Sequence, residues 1–164
     1  MRIGHKALNG QSGHEAGIKL LAEMYLEATG QPLPEIRTTQ RGKPYFVDSG
    51  LQFSISHTRE HVFCVLSETS VGIDAEQTDR KVNAPLVNKV LSPTEKERYH
   101  RAQDKQAAFL KLWVLKEAYA KLTGRGWGNY LYETDFDPED ARITEMNGCY
   151  VAVMEETEED GNAV

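Results

Sequence analysis

Between Gly13 and Thr29, apolar or small side chains recur at Ile18, Leu21, Met24, Tyr25 and Ala28. That rhythm predicts a helix with one buried face, ended by Gly30 and Pro32. After a proline-containing connector, Gln40-Arg41-Gly42-Lys43-Pro44-Tyr45-Phe46 reads as a turn into an extended piece, because Pro44 biases Lys43 away from helix. The rhythm then changes. Leu51 to Ser56 alternates with period two, His61 to Leu66 is a continuous apolar run, and Ser70 to Glu76 carries Val71 and Ile73, so three strands are expected. The separators 58–60 and 67–69 are short enough for two antiparallel hairpins.

A helical middle follows. Ser92-Pro93-Thr94-Glu95 is an N-terminal signature: the serine caps, the proline takes the first helical position and the glutamate reaches back to complete a capping box. Asp104 can cap a further helix from Lys105 to Leu122, closed by Gly124 and Gly126. Ala108, Leu112, Leu115, Tyr119 and Leu122 line one side of it, while Phe109, Leu110, Trp113 and Val114 cover the other. Its first half should therefore be buried all round, and a charge deeper in, such as Glu117, is costly. Arg142 to Glu145 and Cys149 to Glu155 form a last strand pair around Asn147-Gly148, a strong hairpin signal. The elements predict an α+β (mixed α/β) fold of antiparallel strands packed on helices.

Length and composition fit one compact domain. The 164 residues suffice to bury a core unaided. No apolar run approaches the roughly 20 residues that cross a bilayer, and the opening residues lack an apolar signal core, so a cytoplasmic protein is expected. Cys64 and Cys149 lie in apolar runs without metal-type spacing and read as buried free thiols. Five of the six net negative charges fall in residues 155–164, which read as an acidic, frayed tail, and the rest of the chain is nearly neutral. Between Arg98 and Arg125, seven basic residues face only Asp104 and Glu117, an excess that suits an anionic ligand.

Asp74 and Glu76 sit two apart in an expected strand, so both carboxylates project from one face while Ile73 and Ala75 turn to the core. Two carboxylates so placed are either solvated acids at a strand end or ligands of a hard cation such as Mg²⁺, which completes its shell with water and phosphate oxygens. Glu117 is either half of a helix salt bridge with Lys121 or a functional group. In the second case it would complete a metal site or act as general base, with Lys116 and Lys121 neutralising phosphate oxygens. Ser54-Ile55-Ser56-His57-Thr58 ends a strand with hydroxyls around an imidazole. With no nucleophile elbow and no orienting acid it does not read as a hydrolase, and it could instead donate hydrogen bonds to a phosphate.

Gly42-Lys43-Pro44, Phe53-Ser54-Ile55-Ser56-His57-Thr58, Gly72-Ile73-Asp74-Ala75-Glu76 and Trp113-Val114-Leu115-Lys116-Glu117-Ala118-Tyr119-Ala120-Lys121 together resemble the ordered motifs of the 4′-phosphopantetheinyl transferases. The likeness, from about Gly13 to about Val153, is to the kind that serves peptide and polyketide synthetases. It implies Mg²⁺-dependent transfer of the phosphopantetheine arm of coenzyme A to a serine of an acyl or peptidyl carrier protein, releasing 3′,5′-ADP. By that resemblance Asp74, Glu76 and Glu117 hold the metal, and Glu117 helps deprotonate the serine. Lys116 and Lys121 bear on the phosphates, Ser56 and His57 bind the 3′-phosphate end, and Lys43 lies near the nucleotide.

The front departs from this pattern. Longer family members open with a strand and bring basic residues to the coenzyme, whereas about a dozen residues precede the first helix here. A single domain over 1–154 is expected, with a reduced first half at 13–69 and a second half at 70–154. His5 and Lys6 are the candidate substitutes for the missing basic residues. The sheet edge left bare would need a cover or a partner, so the protein is expected as a monomer or homodimer. Neither nucleic acid nor membrane is expected as a partner. Two alternatives remain: a relative that binds coenzyme A or a carrier protein without transfer, and a metal-dependent phosphohydrolase or nuclease. The near-neutral body disfavours the second.

Overall fold

A computed structural model describes residues 1–156 of the chain. In chain order the elements are β1 (Arg2–Ala7), α1 (Gly13–Thr29), β2 (Ile36–Thr38), β3 (Pro44–Phe46), β4 (Gln52–His57), β5 (His61–Ser67), β6 (Val71–Gln77), α2 (Ala84–Val90), α3 (Pro93–Arg101), α4 (Lys105–Thr123), α5 (Tyr130–Glu133), β7 (Ile143–Met146) and β8 (Cys149–Glu155). Two antiparallel three-stranded sheets have the orders β1-β5-β4 and β6-β8-β7. Each is built the same way: a strand, a helix laid on the sheet, then a hairpin whose last strand enters the middle. The second half adds α2 and α3 between its strand and its helix.

The expected α+β class is observed, and the local signals explain most element ends. Ser92 and Glu95 form the capping box of α3, Asp104 caps α4, and Gly30 and Gly124 close α1 and α4 in the left-handed conformation. Asn147 and Gly148 turn between β7 and β8 with φ of 52° and 69°, the pair of positive values a two-residue hairpin requires. Cys64 and Cys149 are buried free thiols.

Two expectations are corrected. The front does open with a strand: β1 pairs with β5 from Arg2↔Leu66 to Ala7↔His61. Arg-Ile-Gly-His-Lys-Ala shows no apolar alternation because β1 is an edge strand, and Gly4 lets Met24 and Leu20 of α1 pack where a Cβ would stand. The first half therefore starts at Arg2. The second correction concerns 67–69, which is no hairpin turn. Its flanking strands, β5 and β6, belong to different sheets. Helix α2, helix α5 and strand β2 were also unforeseen, being short pieces with little periodicity.

Three apolar clusters hold the fold. One packs α1 on the first sheet, one packs α4 on the second, and the third sets Phe63 and Val65 of β5 against Val71, Ile73 and Ala75 of β6. Glu155, counted in the acidic tail, ends β8 opposite Val71 and accepts hydrogen bonds from Ser67 and Thr69. Residues 157–164 of that tail lie outside the described residues. Among the described residues no helix is long and apolar enough to cross a membrane.

Candidate active site

The two sheets meet where edge strands β4 and β6 run side by side, joined by side chains. Ser54 Oγ accepts the Ile73 N–H and Ser56 Oγ accepts the Ala75 N–H, both at 3.1 Å. Both contacts advance together along the chain, so the strands run parallel. Lys121 of α4 donates across the same seam to Ile73 O at 2.9 Å and Ile55 O at 3.4 Å. Buried backbone groups must find partners, and here serines and a lysine supply them.

Alternation along β6 turns Gly72, Asp74 and Glu76 toward α4, with Ile73 and Ala75 in the core as expected. Gly72 is what brings α4 close: a Cβ there would stand 2.0 Å from Ala118 O and 2.5 Å from Leu122 N. Glu117 and Lys121 sit one residue before each of those contacts. Asp74, Glu76 and Glu117 consequently line one cleft of about 330 Å³, shared with Arg80, Trp113, Lys121, Ser56 and His57.

Every acid of this cleft has a protein partner. Asp74 Oδ1 accepts from Ser56 Oγ at 2.9 Å and from Lys121 Nζ at 2.8 Å. Glu76 is paired with Arg80, and Glu117 Oε1 accepts the Trp127 indole N–H at 2.6 Å. Burial, and next the charge of Asp74, raise the pKa of Glu117 above the ordinary carboxylate value, against the Trp127 hydrogen bond and the charges of Lys121 and Arg80. Among the described residues, no three histidine, cysteine or acidic side chains are gathered tightly enough to hold an ion as they stand.

The cationic candidates are distributed differently from the sequence reading. Lys116 does not reach the cleft: it is fully buried against fully buried Glu95, at 2.9 Å, and also donates to the carbonyls of Leu131 and Thr134. The charge deep in α4 is thus Lys116 rather than Glu117, and an acid from the α3 capping box compensates it. Lys121 pairs with Asp74 and not with Glu117, so the simple helix salt bridge is absent. Ser56, buried, is occupied by Asp74 and the Ala75 amide, which makes it a support for the acid rather than a free phosphate donor.

Beside the acids, and sharing Ile55, His57, Glu117 and Lys121 with them, lies a cleft of about 510 Å³. Its walls include Phe53, Ile18, Ile36 and Pro44 with Arg41, Lys43 and the start of α1 at Gly13 and His14. His57 is exposed and lays its ring against Gly13, at the start of α1, the kind of helix end where anions bind well. Lys43 lines this cleft too, with its ammonium bonded to Leu122 O at 2.6 Å and Ser70 Oγ at 2.9 Å; burial lowers its pKa. His5 and Lys6 are elsewhere: His5 contacts His61 and Phe63, and Lys6 pairs with Glu23. Sequence reasoning missed Arg80, Trp127 and Arg41. Only the exposed tryptophan within Gly124-Arg125-Gly126-Trp127-Gly128 carried a usable signal, as a large apolar side chain in a glycine-rich loop.

Residues 70–159 match a family described as the 4′-phosphopantetheinyl transferase superfamily. Among curated proteins, a putative 4′-phosphopantetheinyl transferase of Haemophilus influenzae is 33% identical over 99 residues, 57% of this chain and 42% of that protein. The 4′-phosphopantetheinyl transferase gsp of Aneurinibacillus migulanus is 36% identical over 95 residues, 55% of this chain and 38% of its own. For 4′-phosphopantetheinyl transferase Sfp of Bacillus subtilis the figures are 32% over 92 residues, 54% and 41%. The chain covers about two fifths of the length of these relatives.

Proposed function

This chain belongs to the 4′-phosphopantetheinyl transferase superfamily, and from that premise we propose that it moves the phosphopantetheine arm of coenzyme A onto a serine of an acyl or peptidyl carrier protein, with Mg²⁺. The observation that carries the reading is the meeting of Asp74, Glu76 and Glu117, from a strand and a helix far apart in sequence, on one cleft beside a larger cleft with basic groups. The donor set is all hard oxygen, the kind Mg²⁺ takes, and Glu117 already senses the negative charge of Asp74. A bound Mg²⁺ would neutralise charge on the diphosphate as the phosphorus–oxygen bond breaks.

In the transfer, the serine oxygen bonds to the phosphorus that carries the pantetheine arm. The bond from that phosphorus to the nucleotide phosphate breaks, and 3′,5′-ADP leaves with the electron pair. Glu117, at the edge shared by the acid cleft and the larger cleft, takes the serine proton. Lys121 and Ser56 fix Asp74 in place. His57 and the start of α1 suit the 3′-phosphate, and Arg41 and Lys43 line the nucleotide side. Phosphoryl transfer asks mainly for positioning and charge neutralisation, and these residues offer both. A cytoplasmic setting suits these substrates.

The test mixes the protein with coenzyme A, Mg²⁺ and a panel of apo carrier proteins and reads intact mass. Asp74→Ala and Glu117→Ala, folded by circular dichroism, should abolish the added arm. Coenzyme binding without any modified carrier would favour the non-catalytic relative.

A further inference from the structure

Resting on the transferase reading above, we infer that Arg80 is the side chain that grips the diphosphate of coenzyme A. The acid cleft needs a cation for this anion besides any metal. The lysines that the sequence offers are engaged elsewhere. Lys116 is sealed against Glu95 away from the cleft. Lys121 keeps the seam carbonyls Ile73 O and Ile55 O, 2.9 and 3.4 Å from its nitrogen, even if a cation draws Asp74 Oδ1 away from its present 2.8 Å. The ammonium of Lys43 is bonded to Leu122 O and Ser70 Oγ. His57 lies against Gly13 at the start of α1.

Arg80 differs from all of these. It lines the acid cleft, its side chain is 37% exposed, and its guanidinium stands 5.1 Å from the centre of the Trp113 ring. At that distance the cation lies within cation–π reach of the Trp113 ring. A guanidinium has five N–H donors in a planar fork that matches phosphate oxygens, and here one nitrogen is engaged, with Glu76. When a hard cation claims Glu76, Arg80 loses its present carboxylate partner, and the diphosphate beside the ion is the anion that replaces it. Sequence spacing hid this role because Arg80 follows the strand in a turn rather than lying on the lysine-bearing helix.

Calorimetric titration of coenzyme A and of dephospho-coenzyme A into the protein at fixed Mg²⁺ tests the inference without relying on turnover. Arg80→Gln should weaken both ligands equally, by about tenfold to a hundredfold, the range for losing a charge-assisted hydrogen-bonded contact. Arg80→Lys, which keeps the charge but not the fork and guards against a folding defect in the glutamine variant, should recover part of the loss. Unchanged binding by both variants would overturn the assignment. So would weakening confined to coenzyme A, since that places Arg80 at the 3′-phosphate. If the unsubstituted protein bound neither ligand, the transferase reading would fall and the inference with it, a result distinct from either.

Discussion

The ammonium of Lys121 lies 2.8 Å from Asp74 Oδ1, and the same nitrogen reaches the carbonyls of Ile73 and Ile55 on the two strands that meet at the seam. One side chain thereby orients a candidate metal ligand and fastens one half of the fold to the other. Lys121→Met should lower stability by about 1–3 kcal/mol, below the usual cost of splitting a fully buried pair because Lys121 is 31% exposed. Urea unfolding measures this. A midpoint equal to that of the unsubstituted protein would return Lys121 to a ligand-only role.

Lys116 and Glu95 form a pair with no exposed surface on either side chain, and Glu95 also accepts the amides of Ser92 and Phe136. Removing one partner leaves the other charged and unmatched, so Lys116→Ala or Glu95→Ala should each cost about 3–5 kcal/mol. Replacing both by apolar residues, Lys116→Met with Glu95→Leu, should cost much less than the two single losses added, although the two amides lose their acceptor. Coenzyme affinity of the folded double variant should stay close to that of the parent, because neither residue faces either cleft. Denaturant midpoints and calorimetry read the two outcomes separately.

Gly72 sets the distance between the acids of β6 and Glu117 of α4. In Gly72→Ala the new Cβ meets backbone atoms of Ala118 and Leu122, which cannot rotate aside. The helix must back away, at about 1–3 kcal/mol or more. That shift separates Glu117 from Asp74, so transfer should fall even where the variant folds. An active variant with an unchanged Tm would show that α4 is less tightly seated than described.

What was legible in the chain follows a physical line. Signals local to a few residues were readable: the Ser92 and Glu95 capping box, the Asn147-Gly148 turn, and the shared face of Asp74 and Glu76. Pairings decided by distant residues were not. Nothing in Ser67-Glu68-Thr69 shows that β6 leaves the first sheet, because its amides at Ile73 and Ala75 are taken by the hydroxyls of Ser54 and Ser56 rather than by a backbone partner. Strand β1 depends on β5 for its pairing and has no pattern of its own. For the same reason Lys116 and Lys121, five apart on one helix, looked alike in sequence yet face a buried glutamate and an open seam.

Cys64 is fully buried, and burial pushes its thiol from 9.0 up to about 12. The folded state holds the proton more tightly than the unfolded chain. Its contribution to stability is therefore complete below the unfolded value near 9 and is lost as pH rises from there toward 12, by about 1.4 kcal/mol per pH unit. Comparing the alkaline dependence of unfolding in the parent and in Cys64→Ala isolates this effect, with the parent falling more steeply. Native Cys64 should also resist aromatic disulfide reagents at pH 8 until the protein unfolds.

Both tryptophans of the chain stand at the candidate site. Trp127 donates to Glu117, its ring lies 5.3 Å from that of Trp113, and Arg80, the partner of Glu76, sits over Trp113. An ion that drew in Glu117 and Glu76 would release the Trp127 indole N–H and move the cation above Trp113, so intrinsic fluorescence reports metal binding with no background from other tryptophans. Titration with Mg²⁺ should give a saturable change that an equal ionic strength of Na⁺ does not, and chelation should reverse it. Asp74→Ala, which leaves both rings and their contacts in place, should weaken that response at least tenfold if Asp74 is a ligand. An undiminished titration in this variant would remove Asp74 from the metal site.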